Sequence, residues 1–319
     1  MNFFTKIPIS ISNYPINYHS KIVSLGSCFA VNMAEKLDYF KFQNVVNPFG
    51  IIFNPVSIAK LVTRAINHVL FAEKDLFFHN ERWHCYEVHS DLSNENKDEF
   101  LENLNLLLHS TNDQITQSTH VIITYGTSWV YRNKNSNEIV ANCHKVPQNQ
   151  FDKALLSVEI IEKSIQESID LIQKVNPNCN VIFTVSPVRH IKDGFVENQR
   201  SKAHLITAIH QVLQSEICSL QSTNYFPSYE ILMDELRDYR FYAQDMLHPN
   251  QVAIDYIWER FAETYISEAS QITMEDVNSV QKGLHHKPFN LNSDSHQQFL
   301  VKLQNKMDLL QQQFPNIQF

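Results

Sequence analysis

A three-layer α/β/α fold around a mostly parallel, five-stranded sheet, with a C-terminal helical extension, is the architecture this 319-residue chain predicts. Short apolar runs rich in β-branched residues alternate with longer stretches of helical periodicity, and strands that alternate with helices form parallel sheets covered on both faces. Three of the runs are almost wholly apolar, as strands buried on both faces must be. At 43% hydrophobic and 11% aromatic, the chain also holds the material for a large core.

The strand candidates are KIVSL (21–25), FQNVV (42–46), HVIITY (120–125), NVIFTV (180–185) and a weaker TNYFPSY (223–229). Helical patterns fall at 28–38, 55–70, 95–110, 152–175, 200–220 and 250–268. Residues 71–94 and 129–146 break the alternation, and each is expected to form a small hairpin. Beyond residue 270 the chain turns polar, which places the main domain at 1–270 and a helical extension at 271–319. In the extension, Phe299, Leu300, Leu303, Met307 and Leu310 share one stripe of a glutamine-rich helix. That stripe either packs back on the domain or forms a homodimer contact.

Charge and motif content exclude several functions. A formal charge of -8 with no cluster of Lys and Arg argues against nucleic acid, because polyanions need a basic patch. The fifteen histidines are scattered, without HExxH or CxxC spacing, so no metal is expected, and the chemistry below needs no cofactor. Cys28, Cys85, Cys143, Cys179 and Cys218 are odd in number and widely spaced, which fits reduced thiols. Prolines and polar residues interrupt the start of the chain where a signal peptide would be continuously apolar, and no run reaches the roughly 18 apolar residues of a membrane span. A cytoplasmic location is the expectation.

In open parallel sheets ligands gather beyond the carboxyl ends of the strands, which singles out GSCF, NPFG, GTSWVY and SPVRH. After Gly26 the backbone must turn sharply into a helix, so Ser27 presents a hydroxyl able to attack a carbonyl carbon. Its N–H, at a helix N-terminus, can hold the oxyanion that forms. A serine hydroxyl is a weak nucleophile and needs an oriented base, which Asp245 and His248 in DMLHPN supply, with Pro249 opening the next helix. The plainer reading of Ser27 is a helix cap.

Cys28 is either a packed thiol or a rival nucleophile. Arg189 and His190 either meet an anionic or polyhydroxylated substrate or form a salt bridge to one of the acidic residues of 234–238. His144 and Lys145 are similar candidates for substrate contact. Trp129 and Tyr131 either stack on a sugar or lie buried in their hairpin. The charged run from Glu230 to Arg240 is a rigid platform for Asp245 and His248 or a solvated helix.

GSCFA at 26–30 resembles the signature of the GSCFA family, related to the SGNH (GDSL-like) hydrolases. The similarity continues through NPFGIIFNP (47–55), TYGTSWVY (124–131), NCHK (142–145), SPVRHIKDG (186–194) and the segment 226–250, so it covers about residues 20–265. The resemblance implies a flavodoxin-like sheet and an esterase or acyl hydrolase. It makes Ser27 the nucleophile, His248 the general base and acid, and Asp245 the residue that orients His248. Gly50 and Ser27 would donate N–H groups to the oxyanion. The chain departs from the pattern after the third strand, where those enzymes carry Gly-x-Asn-Asp and Gly126, Thr127, Ser128 and Trp129 stand here; Asn142 is the replacement donor considered. The expected substrate is a small acyl ester, acylated carbohydrate included. An O-acyltransferase would use the same residues, and a non-catalytic binding or assembly protein on the same fold is the alternative.

Overall fold

The computed structural model describes residues 5–215 and 222–319. Its central sheet is built from β1 (Lys21–Gly26), β2 (Gln43–Val46), β5 (His120–Tyr125), β9 (Asn180–Val185) and β10 (Thr223–Phe226), in the order β10-β9-β5-β1-β2. Every pairing within it is parallel. The chain leaves β1 for β2 on one side and then crosses back to β5 on the other, so the strand order reverses beside β1. Such a switch point opens a crevice at the carboxyl ends.

Period-two alternation divides the strand side chains between two cores. Val23, Leu25, Val121, Ile123, Val181 and Phe183 face α2 (Pro55–Ile66), α3 (Lys97–Gln117), α4 (Val158–Val175) and α5 (Phe195–Gln214). Ile22, Ile122, Ile182 and Phe226 face α1 (Cys28–Tyr39), α7 (Gln251–Tyr265) and α8 (Glu268–Leu284). Polar caps set where the helices begin: Asn54 accepts from Ser57 N–H ahead of Pro55, and Asn250 accepts from Ala253 N–H.

Several boundaries differ from the sequence expectation for identifiable reasons. β10 stops at Phe226 because Pro227 has no N–H to donate. Residues 152–155 are not helical. β8 (Phe151–Leu155) pairs antiparallel with β6 (Trp129–Asn133), which also pairs with β7 (Ile139–Val140), giving a three-stranded sheet instead of a hairpin. α4 begins only after Ser157 caps it. The hairpin expected in 71–94 is β3 (Leu76–His79) with β4 (Arg82–Cys85). α5 starts earlier than expected, while the end of the 200–220 pattern and Cys218 lie outside the described residues. Cys28, Cys85, Cys143 and Cys179 are free thiols.

The charged run after β10 is not a solvated helix throughout. Short α6 (Ser228–Glu230) continues into a wide helical turn (Ile231–Leu236) that buries Glu235. Its carboxylate accepts from Ile7 N–H and Tyr256 Oη, each at 2.6 Å, and pairs with Arg260 at 3.4 Å. In the extension, α9 (Asp294–Gln313) turns its stripe onto the body of the chain. Leu303, Leu310 and Ile317 join the core with Tyr18 and Phe42, and Phe299 and Met307 pack against it. Phe314 lies 4.9 Å from the ring of Tyr18. The stripe considered for a homodimer is therefore largely occupied within the chain. Among the described residues no helix is long and apolar enough to cross a membrane, and no group of three or more His, Cys, Asp and Glu is placed to hold a metal ion.

If α9 is held by burial, Leu310→Ala should lower unfolding stability by about 2–4 kcal/mol in urea titrations. Leu309→Ala, whose side chain faces solvent, should change it by less than about 0.5 kcal/mol. Equal effects would show that the stripe does not hold the extension.

Candidate active site

Gly26 has a φ of +139°, and a Cβ there would lie 2.1 Å from the carbonyl oxygen of Thr124 on β5. Only glycine lets the two strands run this close and the chain turn at once into α1. Ser27 follows as the N-cap: its Oγ accepts from Phe29 N–H at 3.3 Å, and the residue is only 1% exposed. Its own N–H donates to Thr124 O at 3.1 Å. Gly50 N–H likewise donates to Asn47 O at 2.8 Å. The two amides expected to stand ready for an oxyanion are thus already bonded, a correction to the expected geometry.

The Asp245 and His248 loop is self-organised. Tyr242 and Pro249 bridge its base, and Ala243 N–H donates to His248 O at 2.7 Å. One Asp245 oxygen accepts from the N–H groups of Leu247 and His248, at 2.9 and 3.0 Å. The other meets His248 Nδ1 at 2.6 Å. The spacing of three residues is what lets one carboxylate close the backbone turn and orient the ring. Those N–H groups and the imidazole hold the Asp245 carboxyl at about 2, so it stays ionised across the neutral range. With its Nδ1 proton facing the carboxylate, the ring offers Nε2 as an acceptor. Both side chains are half exposed, and no hydrogen bond joins His248 to Ser27.

Helix α5 ties down the loops that follow β5 and β9. Ser201 Oγ accepts from Ser128 N–H at 2.8 Å and lies 2.7 Å from Thr127 Oγ1, while Asn198 Oδ1 accepts from His190 N–H at 2.8 Å. Lys202, fully buried, donates from Nζ to Gly126 O at 2.6 Å and Ser186 O at 2.7 Å. Burial brings its ammonium down to about 7, with the Cys28 and Glu230 side chains opposing the shift. Burial also raises the Cys28 thiol, so the rival nucleophile is kept protonated.

Arg189 is anchored beside the histidine loop, its N–H donating to Leu247 O at 3.1 Å. The ion pair considered with residues 234–238 does not form. Glu235 pairs with Arg260 and Asp238 with Arg240, while the Arg189 guanidinium stacks over Tyr242 and Tyr239, at 4.1 and 5.0 Å. His190 stacks on Phe53 at 5.6 Å; burial, then the charges of Lys202 and His248, lower it to about 3, so its ring is neutral.

No hydrogen bond joins His144 or Asn142 to Ser27 among the described residues. The His144 ring is buried against His84 and Phe77, its Nε2 bonded to Cys85 O at 2.7 Å. Burial lowers its pKa to about 4, and the Asn142 side chain accepts from His144 N–H. Both belong to the packing of the two small sheets. Lys153 sits over the rings of Trp129 and Tyr131, at 5.4 and 5.2 Å.

Two residues escaped the sequence reading. Lys202 lies on the buried stripe of α5 with Asn198, Ser201, Leu205, Ala208 and Val212, and a lysine on that stripe is a signal periodicity carries. Asn47, at φ +44°, accepts from Gly26 N–H at 2.7 Å through Oδ1 and leaves Nδ2 buried without a partner. In the sequence it is only a turn residue before proline.

A Lys202 pKa near 7 in the folded chain, against 10.5 when unfolded, means the unfolded chain binds the extra proton between those values. Stability should therefore rise with pH from about 7 to about 10, by about 1 kcal/mol per unit. Urea titrations at several pH values should show this slope in the wild type minus Lys202→Met difference. A flat difference would mean that Lys202 is not buried as a strained cation.

The model described as the GSCFA family matches residues 21–261, and that of the GSCFA domain protein, C-terminal domain, matches residues 277–319. A search of curated proteins finds no match. Among solved structures, an acetyl xylan esterase from the rumen bacterium Butyrivibrio proteoclasticus aligns at 11% identity with a TM-score of 0.39. That alignment covers 79% of this chain and 66% of the esterase, just under two thirds of its length. With the first model spanning well over half of its residues, the chain belongs to the GSCFA family.

Proposed function

We propose that the chain is a serine hydrolase of the SGNH type acting on a small acyl ester, with acylated carbohydrates in its range. The observation that carries this is the Asp245–His248 pair at 2.6 Å, with an unbonded Nε2, on a loop hydrogen-bonded to the chain just beyond β9. Ser27 stands at the end of β1, on the same carboxyl edge of the sheet and beside its switch point. In the reaction, Ser27 Oγ attacks the ester carbonyl while His248 Nε2 takes its proton. The imidazolium is stabilised by Asp245 and returns the proton to the leaving alkoxide. Water, activated by the same ring, then attacks the acyl-serine and releases the acid.

Turnover requires the serine turn to open. Ser27 Oγ can go on accepting from Phe29 N–H while its O–H turns to His248 Nε2, but the amides of Ser27 and Gly50 must leave Thr124 and Asn47 to face the oxyanion. Asn47 Nδ2 is a donor with no bond to lose, one residue-to-residue contact from the serine turn, and takes the third place in preference to Asn142. Transfer of the acyl group to a second hydroxyl uses the same groups. The buried, capped state of Ser27 favours one other account, a binding protein on this fold without turnover. A fluorophosphonate probe separates the two, because only an activated serine is labelled.

On p-nitrophenyl acetate, Ser27→Ala should lower kcat by about a thousandfold or more with folding intact, and Asp245→Asn by about a hundredfold or more. Undiminished rates would remove the serine mechanism. Asn47→Asp keeps the acceptor for Gly26 N–H and loses the donor, so kcat should fall by about a hundredfold with stability retained. Asn142→Ala should leave kcat within about twofold; the opposite ranking would return the third place to Asn142.

A further inference from the structure

Among the described residues Arg189 is a cation without a counterion in any ion pair. Acids lie near it in the chain and in the neighbouring loop, yet those that form ion pairs are spent elsewhere. Asp193 is bonded to Lys153, Glu235 to Arg260, Asp238 to Arg240 and Asp245 to His248. Among the described residues Arg189 forms no ion pair; its Nε is buried without an acceptor. A buried donor left unbonded costs free energy that a bound acceptor recovers.

The guanidinium is nonetheless fixed in place. It lies over the ring of buried Tyr242 and beside that of Tyr239, which is 61% exposed, so the stack stands at the protein surface. Its backbone N–H is bonded to the residue immediately before His248. An arginine held by aromatic faces is already oriented for the planar, two-pronged acceptor that a carboxylate presents. The rest of the molecule does not favour anions, since the chain carries a net charge of -8, so attraction for one must be local.

We propose that Arg189 is the specificity-determining residue of this site and that the ester it selects carries a carboxylate. This rests on the hydrolase reading above and deepens it by naming the substrate class. The carboxylate belongs either to the acyl group or to the alcohol, and the two sources are separable.

The test compares kcat/KM for matched pairs of esters: p-nitrophenyl hydrogen adipate against p-nitrophenyl hexanoate, with the charge on the acyl side, and 4-acetoxybenzoate against its methyl ester, with the charge on the alcohol side. The wild type should favour the anion in one pair. In Arg189→Met that ratio should fall by about tenfold or more, and Arg189→Lys should recover part of it, because a point charge replaces the fork. Arg200→Met, a change to an exposed residue of α5, should leave the ratio unaltered. No anionic preference in either pair, or a ratio untouched by Arg189→Met, overturns the proposal while leaving the hydrolase intact. If no ester is turned over, the hydrolase reading fails by itself, and calorimetry with adipate and 4-hydroxybenzoate still decides: binding of one by the wild type and not by Arg189→Met supports the anion site, and binding of neither, or equal binding by both proteins, refutes it.

Discussion

The close approach of β1 to β5 at their carboxyl ends is the constraint on which the rest of the site depends. Gly26 passes so near the Thr124 carbonyl that any side chain would force the strands apart, and its positive φ turns the chain directly into α1. From that single contact follow the placement of Ser27 as a cap, the bond from its N–H to Thr124, and the lock of Asn47 onto Gly26 N–H. The same contact lies at the switch point, because β1 and β5 are the strands between which the order reverses.

Beyond that turn, the carboxyl edge has a recurring electrostatic problem. Strands leaving a parallel sheet carry carbonyls whose partners end with the ladder, and buried carbonyls must be satisfied. Lys202 answers it for Gly126 and Ser186 at once, at the cost of a buried amine with a lowered pKa. Its charge in turn helps to keep His190 neutral, next to the candidate base. Asp245 solves a different problem on its own loop, where one carboxylate closes the backbone turn and orients the imidazole without help from the core. A rigid, buried scaffold under a half-exposed carboxylate–imidazole pair is the result.

The fold was largely legible in the sequence because its strands are doubly buried and therefore continuously apolar. HVIITY and NVIFTV cannot be mistaken for surface segments. The segment FDKAL misled because its periodicity fits a helix as well as a strand, and only pairing with Trp129–Asn133 decides between them. α8 was invisible for another reason: it buries Ser270, Thr273 and Gln281 alongside Met274, Val277 and Val280, so its buried face lacks a clear apolar stripe. Asp245 and His248 were legible because their contact is local, three residues apart. The surroundings of Asn142 and His144 were not legible, because long-range packing sets the His144 ring against Cys85 O and His84 while Asn142 accepts from His144 N–H.

The sequence by itself determined the layered α/β architecture, the glycine turn that presents Ser27 and the pairing of Asp245 with His248, since each follows from residue type and short-range spacing. Tertiary structure alone decided which acids Arg189 lacks, which carbonyls Lys202 reaches and whether Ser27 is open or capped. Those are outcomes of competition among groups far apart in the chain, where distance and burial set the winner and spacing carries no information.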